Sequence, residues 1–108
     1  MIINSTKYTL PLTRKEFSHP IEIKNTEYQL SFKPNKKDDS WYVSIIRNGR
    51  VLATSRVVYL TPIFDGMSYE RWDDTIKMIF VPYENYDGKN PTVSRFTSDC
   101  YLLVVRQV

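Results

Sequence analysis

Apolar and polar residues alternate along much of this chain with a period of two. In Glu27-Tyr28-Gln29-Leu30-Ser31-Phe32-Lys33 every second side chain is apolar. Successive strand residues point to opposite faces of a sheet, so Tyr28, Leu30 and Phe32 are predicted to face a core while Gln29 and Ser31 face water. Just before them, Ile21 and Ile23 alternate with Glu22 and Lys24. The short Asn25-Thr26 link is expected to fold the two runs into a hairpin, without the glycine that favours a type I′ turn. Lys33 to Ser40 is polar, contains Pro34 and reads as a loop. Trp41 to Arg47 then places Trp41, Val43 and Ile45 on one face and Tyr42, Ser44 and Ile46 on the other. Asn48-Gly49 suits a turn with two successive positive φ angles, and Arg50-Val51-Leu52-Ala53-Thr54 is the return strand.

The second half is less regular. Val57-Val58-Tyr59-Leu60 suggests a short strand ended by Thr61-Pro62. Between Ile63 and Asp74, large apolar groups stand among Gly66 and several acids with neither helical nor strand period, which predicts a loop with room for one helical turn around Ser68–Trp72. Thr75 to Val81 returns to strand character and is apolar on both faces, as a covered central strand would be. Pro82 to Thr92 contains two prolines and Asp87-Gly88 and reads as a loop, close to the length of about 12 residues beyond which loops tend to be functional. Cys100 to Arg106 is the last predicted strand, again apolar on both faces. About seven short strands with little helix predict an all-β fold, a small antiparallel β-sandwich or a partly closed β-barrel. An α/β fold would need crossover helices of about a dozen residues, and the pattern contains none.

The 108 residues predict a single β-rich domain spanning 1–108. No apolar run approaches the ~20 residues that span a bilayer. Met1 to Thr6 has neither the basic region nor the apolar stretch of a secretory signal. A lone cysteine, Cys100, excludes an internal disulfide framework and a cysteine-based zinc cluster. The net charge of +3 is unevenly spread: residues 1–60 hold ten Lys/Arg and five Asp/Glu, and residues 61–108 hold five and seven.

Candidate chemistry is sparse. His19, the only histidine, precedes Pro20 on a predicted surface turn and reads as solvent-facing. Cys100 opens an apolar strand and reads as a small buried hydrophobe rather than a nucleophile. The acids of Asp38-Asp39 and Asp73-Asp74 are adjacent, and neighbours on a strand point apart, so neither pair makes a two-carboxylate site by itself. Asp65, Glu70, Asp73 and Asp74 lack the spacing of a calcium loop and read as a solvated acidic segment. Three glycines cannot supply a phosphate cradle. No catalytic, cofactor-binding or metal-ligating residue is assigned, no cofactor is expected, and the chain reads as a non-enzyme.

Two binding readings remain. Lys24, Lys33, Lys36, Lys37, Arg47, Arg50 and Arg56 flank strands bearing Tyr28, Phe32, Trp41 and Tyr42, the ingredients of a small β-barrel that holds single-stranded nucleic acid. Against it, Tyr28, Phe32 and Trp41 occupy the apolar phase of their strands, and only Tyr42 sits among polar neighbours. The second reading places a protein interface in the irregular segments, where Phe64, Met67, Tyr69, Trp72, Tyr83 and Tyr86 are of the types enriched at such interfaces. Folding back to cap the ends of the sandwich accounts for Phe64 and Met67 equally well.

The order of segments resembles a known family. Tyr8-Thr9-Leu10-Pro11-Leu12 is followed by the run from Pro20 through Phe32, by Trp41-Tyr42-Val43-Ser44-Ile45, by Asn48-Gly49 and Leu52, by Val57-Val58-Tyr59-Leu60, and by Tyr101-Leu102-Leu103-Val104-Val105. From Tyr8 to Arg106 this resembles the baseplate plug proteins of contractile-tailed bacteriophages. Such proteins often carry glycines around the stretch matching Arg56 to Thr61, where this chain has Ser55, Arg56 and Thr61-Pro62. The resemblance implies a structural protein of the virion, located in the tail baseplate and assembled in the host cytoplasm. It implies contacts with tail hub and tail-tube or baseplate proteins, several copies around a symmetry axis, and no membrane, cofactor or reaction.

Overall fold

The computed structural model describes residues 3–23, 25–64, 76–83 and 91–107. Its elements are β1 (Ile3–Tyr8), β2 (Phe17–Ile23), β3 (Thr26–Asn35), β4 (Ser40–Arg47), β5 (Arg50–Arg56), β6 (Ile76–Pro82), the one-turn helix α1 (Phe96–Asp99) and β7 (Cys100–Gln107). The strands form two antiparallel sheets, one ordered β2-β3-β4-β5 and the other β1-β7-β6. The all-β expectation holds as a small sandwich of seven strands, without closure into a barrel.

The four-stranded sheet follows the alternation closely. Tyr28, Leu30 and Phe32 on β3 and Trp41, Val43 and Ile45 on β4 are buried, while the residues between them are half-buried or exposed. Asn48 and Gly49 both take positive φ, 52° and 75°, as a type I′ turn requires. Three details differ from expectation. Thr26 belongs to β3 rather than to the turn, and Asn25 alone supplies the left-handed conformation, at φ 61°. Strand β3 runs on to Asn35, so Lys33 and Pro34 are strand residues and the loop is only Lys36 to Asp39. Proline is tolerated because β2 ends opposite Phe32, which leaves Pro34 with one neighbouring strand. His19 likewise lies within β2, opposite Leu30, and not on a turn.

The three-stranded sheet departs further. Ile3–Tyr8 has no amphipathic alternation, yet it pairs with β7 along its full length. The apolar strand predicted as a covered centre, β6, is an edge, and β7 is the centre. The outer side of β6 is met by the segment after β5, which forms bridges rather than the expected strand. Tyr59 pairs with Phe80 and Ile63 with Met78, through Leu60 N–H to Phe80 O at 2.9 Å and Ile63 N–H to Met78 O at 2.9 Å. To make both contacts the backbone turns sharply, with Leu60 at φ 59° and Phe64 at φ 56°. Left-handed backbone costs a side-chain-bearing residue ~1–2 kcal/mol. The helical turn expected around Ser68–Trp72 lies outside the described residues.

Between the sheets lies one cluster of buried side chains that includes Ile21, Leu30, Phe32, Trp41, Val43, Ile45, Met78, Phe80, Phe96 and Leu102. Phe96 on α1 is fully buried and touches both layers, with ring centroids 5.1 Å from Trp41, 5.8 Å from Phe32 and 5.4 Å from Phe80. The segment before α1 is tied to the β3–β4 turn at both of its polar groups. The indole N–H of Trp41 donates to Val93 O at 3.3 Å, and Val93 N–H donates to Asp39 Oδ1 at 3.0 Å. Cys100 is buried, and its thiol donates to Phe96 O at 3.2 Å.

Three substitutions test this account by urea unfolding. Trp41→Ala empties the contact with Phe96 and Phe17 and is expected to cost about 3–5 kcal/mol. Tyr42→Ala, on the opposite face of the same strand, is expected to cost about 1 kcal/mol. Leu60→Gly relieves the left-handed strain at a side chain that is 55% exposed. After the added freedom of the unfolded chain is subtracted, it is expected to raise stability by about 0.5–1 kcal/mol.

Candidate partner interface

The two sheets present different outer faces. On the four-stranded sheet, Ser18, Ser31, Ser44 and Thr54 stand in one cross-strand row, and the Ser44 and Thr54 hydroxyls are 2.8 Å apart. Beside this row Lys33 pairs with Tyr42 and Tyr42 with Arg56. That face is polar. On the three-stranded sheet the alternation that buries Ile76, Met78, Phe80, Leu102 and Val104 directs Ile79, Val81, Tyr101, Leu103 and Val105 to the other side, where they are half-buried together with Lys77, opposite Val105. The register sets Ile79 beside Leu103, Val81 beside Tyr101, and Lys7 of β1 beside Leu103.

Tyr83, just past β6, extends this face. It is 43% exposed, and its ring lies 5.3 Å from that of Tyr101. The Lys7 ammonium sits 4.4 Å from the Tyr101 centroid and 5.5 Å from that of Tyr83. Such contacts contribute roughly 0.5–1 kcal/mol each at exposed sites, enough to hold both rings in place against solvent. The arrangement is an aromatic pair with a cation at one edge and an aliphatic strip beside it, a surface suited to contact with protein.

Of the six residues singled out from the sequence, Tyr83 is on this face and exposed. Phe64 is buried at 8% exposure in the core cluster, the capping position that the sequence left open for it. Met67, Tyr69, Trp72 and Tyr86 lie outside the described residues. Sequence reasoning missed Lys7, Ile79, Tyr101 and Leu103. The signal was present as strands apolar on both faces, but it was read as coverage by a neighbouring layer.

The stacking platform required for single-stranded nucleic acid is buried: Tyr28, Phe32 and Trp41 are at most 1% exposed. Tyr42 is half-buried, and its hydroxyl donates to Asp38 Oδ2 at 2.8 Å. Among the described residues no three His, Cys, Asp or Glu side chains gather to hold a metal ion. His19 donates from Nδ1 to Pro20 O at 2.8 Å and presents its ring to the edge of Tyr8, 5.4 Å away.

The family model of the cyanophage baseplate Pam3 plug gp18 matches residues 7–107, a span that takes in both sheets. The chain belongs to this baseplate plug family. No curated protein and no solved structure gives a significant match. Membership makes the chain a phage baseplate protein, located in the tail baseplate of the virion and associated there with other baseplate or tail proteins. As a baseplate plug it is of a structural kind.

One electrostatic feature of the plug is local. The Asp38 carboxylate is held below its ordinary pKa first by the Ser40 hydroxyl, then by Tyr42 O–H, with a smaller contribution from Arg56. A lowered native pKa means that folding favours the charged form. The contribution is therefore complete above the ordinary carboxylate range, near pH ~4, and is lost as pH falls through the lower native value. Melting temperatures of the wild type and Asp38→Asn, measured from pH 7 to pH 2, are expected to differ by a constant amount above about pH 5 and to converge at the acid end.

Proposed function

We propose that this plug subunit braces the central hub of the baseplate and helps to close the tail tube until contraction. It does so through protein–protein contacts, with several copies arranged around the tail axis and assembly taking place in the host cytoplasm. The carrying observation is the apolar outer face of β6 and β7, finished by the Lys7–Tyr101–Tyr83 group. Met67, Tyr69, Trp72 and Tyr86 belong to the segments that flank β6 in sequence, and the proposed interface extends to them. Direct partners are tail hub and tail-tube or baseplate proteins. Phe64, being buried, acts from beneath by holding the segment that leads into this surface.

The division between the two outer faces supports the assignment. A row of serine and threonine hydroxyls is readily hydrated, whereas half-buried Leu103, Ile79 and Val81 gain by further burial, at about 25 cal/mol per Å² of apolar surface removed from water. Aromatic anchors at the centre of such a patch commonly contribute 2 kcal/mol or more each, roughly thirtyfold in affinity.

The test is incorporation into baseplates assembled from the tail hub, tube and baseplate proteins of the same phage. Tyr83→Ala combined with Tyr101→Ala, and separately Trp72→Ala, are expected to keep the wild-type circular dichroism and to lower incorporation at least tenfold. Ser31→Ala on the polar face is expected to incorporate normally. Normal incorporation of the tyrosine double variant would remove this face from the interface.

A further inference from the structure

We infer that copies of this chain bind one another by seating Leu12 of one copy in the groove at Tyr8, Pro20 and Ile21 of another. Leu12 is the most exposed large hydrophobic of the described residues, at 82%. It lies on the connection between β1 and β2, next to exposed Pro11, which restricts the loop backbone. Arg14 and Lys15 follow, both exposed, and outnumber the neighbouring Glu16. A side chain this apolar, projected into solvent with cations behind it, has the form of a knob with a charged collar.

A complementary socket lies on the same chain. Tyr8, Pro20, Ile21, Glu22 and Glu27 line a shallow groove of about 380 Å³ where β1 passes over the edge of the other sheet. Half-buried Tyr8 and exposed Pro20 supply its apolar surface, Ile21 lies beneath them in the core, and its rim carries Glu22 and Glu27, both exposed and directly opposite each other in the β2–β3 register. Like charges placed opposite one another across a ladder are destabilising, so cations brought to that rim are favoured. Glu22 also lines an adjoining groove together with Arg106, a cation of its own chain, whereas Glu27 does not.

Knob and socket match chiefly in charge. Leu12 meets the exposed parts of Tyr8 and Pro20, and Arg14 and Lys15 meet Glu22 and Glu27. Nucleic acid is disfavoured as the occupant because the acidic rim repels phosphate and the exposed group on the basic loop is aliphatic, offering no stacking surface. Knob and socket flank the same β1–β2 connection, so a two-fold pair lets each copy give and receive, and a head-to-tail contact whose rotation closes would form a ring. The inference extends the reading that several copies stand together in the baseplate. Its test uses the isolated chain, so loss of self-association and loss of incorporation through Tyr83 and Tyr101 are read separately.

Sedimentation velocity of the purified chain, from micromolar to millimolar concentration, is the measurement. Association is expected at low salt and is expected to weaken severalfold as added salt screens the charge pairs. Leu12→Asp, the pair Arg14→Glu with Lys15→Glu, and the pair Glu22→Lys with Glu27→Lys are each expected to weaken it about tenfold or more, with circular dichroism unchanged. Mixing the two charge-swapped proteins is expected to restore association between them, because the reversed loop meets the reversed rim. A chain that stays monomeric at every concentration would overturn the inference, as would self-association indifferent to the swaps or a mixture no better than its components. A monomer whose Arg14 and Lys15 instead bind a single-stranded oligonucleotide would also overturn it, assigning the loop to nucleic acid.

Discussion

The burial of Trp41 under Phe96 is the contact on which the rest of the sandwich depends. A tryptophan at full burial must find an acceptor for its indole N–H, and here the acceptor is Val93 O. The same peptide segment is held from the turn by Asp39, so a stretch with one turn of helix is fixed over the end of β4. Phe96 is thereby brought between Phe32 of one sheet and Phe80 of the other. Without that ring the two sheets would have to fill the same space with aliphatic side chains from their strands alone. At roughly 1.5–3 kcal/mol for each fully buried large side chain, the cluster is a sizeable part of the stability that a chain of this length can have.

The cost of joining the sheets appears on the other side of the core. After β5 the backbone must leave one sheet, run along β6 and turn away again, and Leu60 and Phe64 take left-handed conformations to do so. Glycine would do this without strain. Here the strain is offset by two backbone hydrogen bonds to β6 and by the burial of Tyr59, Ile63 and Phe64. These contacts also cover the outer edge of β6, which would otherwise offer unpaired backbone groups to any passing strand.

With its core filled from one side, the three-stranded sheet is left with a second apolar face, and it is on this asymmetry that the proposed partner interface rests. The polar face is hydrated through its hydroxyl row, while the apolar face keeps Tyr83 and Tyr101 in place with Lys7 at their edge. The Leu12 loop and the Glu22–Glu27 rim add a second, charge-directed surface at the β1–β2 connection. One surface thus relies mainly on apolar burial and the other on paired charges, so salt should act chiefly on the second.

Local sequence determined the strands that carry their own alternation. Tyr28-Leu30-Phe32 and Trp41-Val43-Ile45 specify which face is buried, and Asn48-Gly49 specifies the turn between β4 and β5, because period and φ preference are properties of neighbouring residues. The proposed interface was legible in part. Tyr83 was visible as an aromatic in a loop, whereas Tyr101, Leu103 and Ile79 were hidden within strands whose two apolar faces admit either burial or contact. Other assignments were not local at all. Ile3–Tyr8 is a strand only because β7 lies beside it, β7 rather than β6 is central because β1 takes its second edge, and Phe96 is core only because Trp41 and Asp39 hold the preceding segment. Hydrogen bonds and contacts between distant segments have no periodic trace in the chain, so the tertiary structure alone decided them.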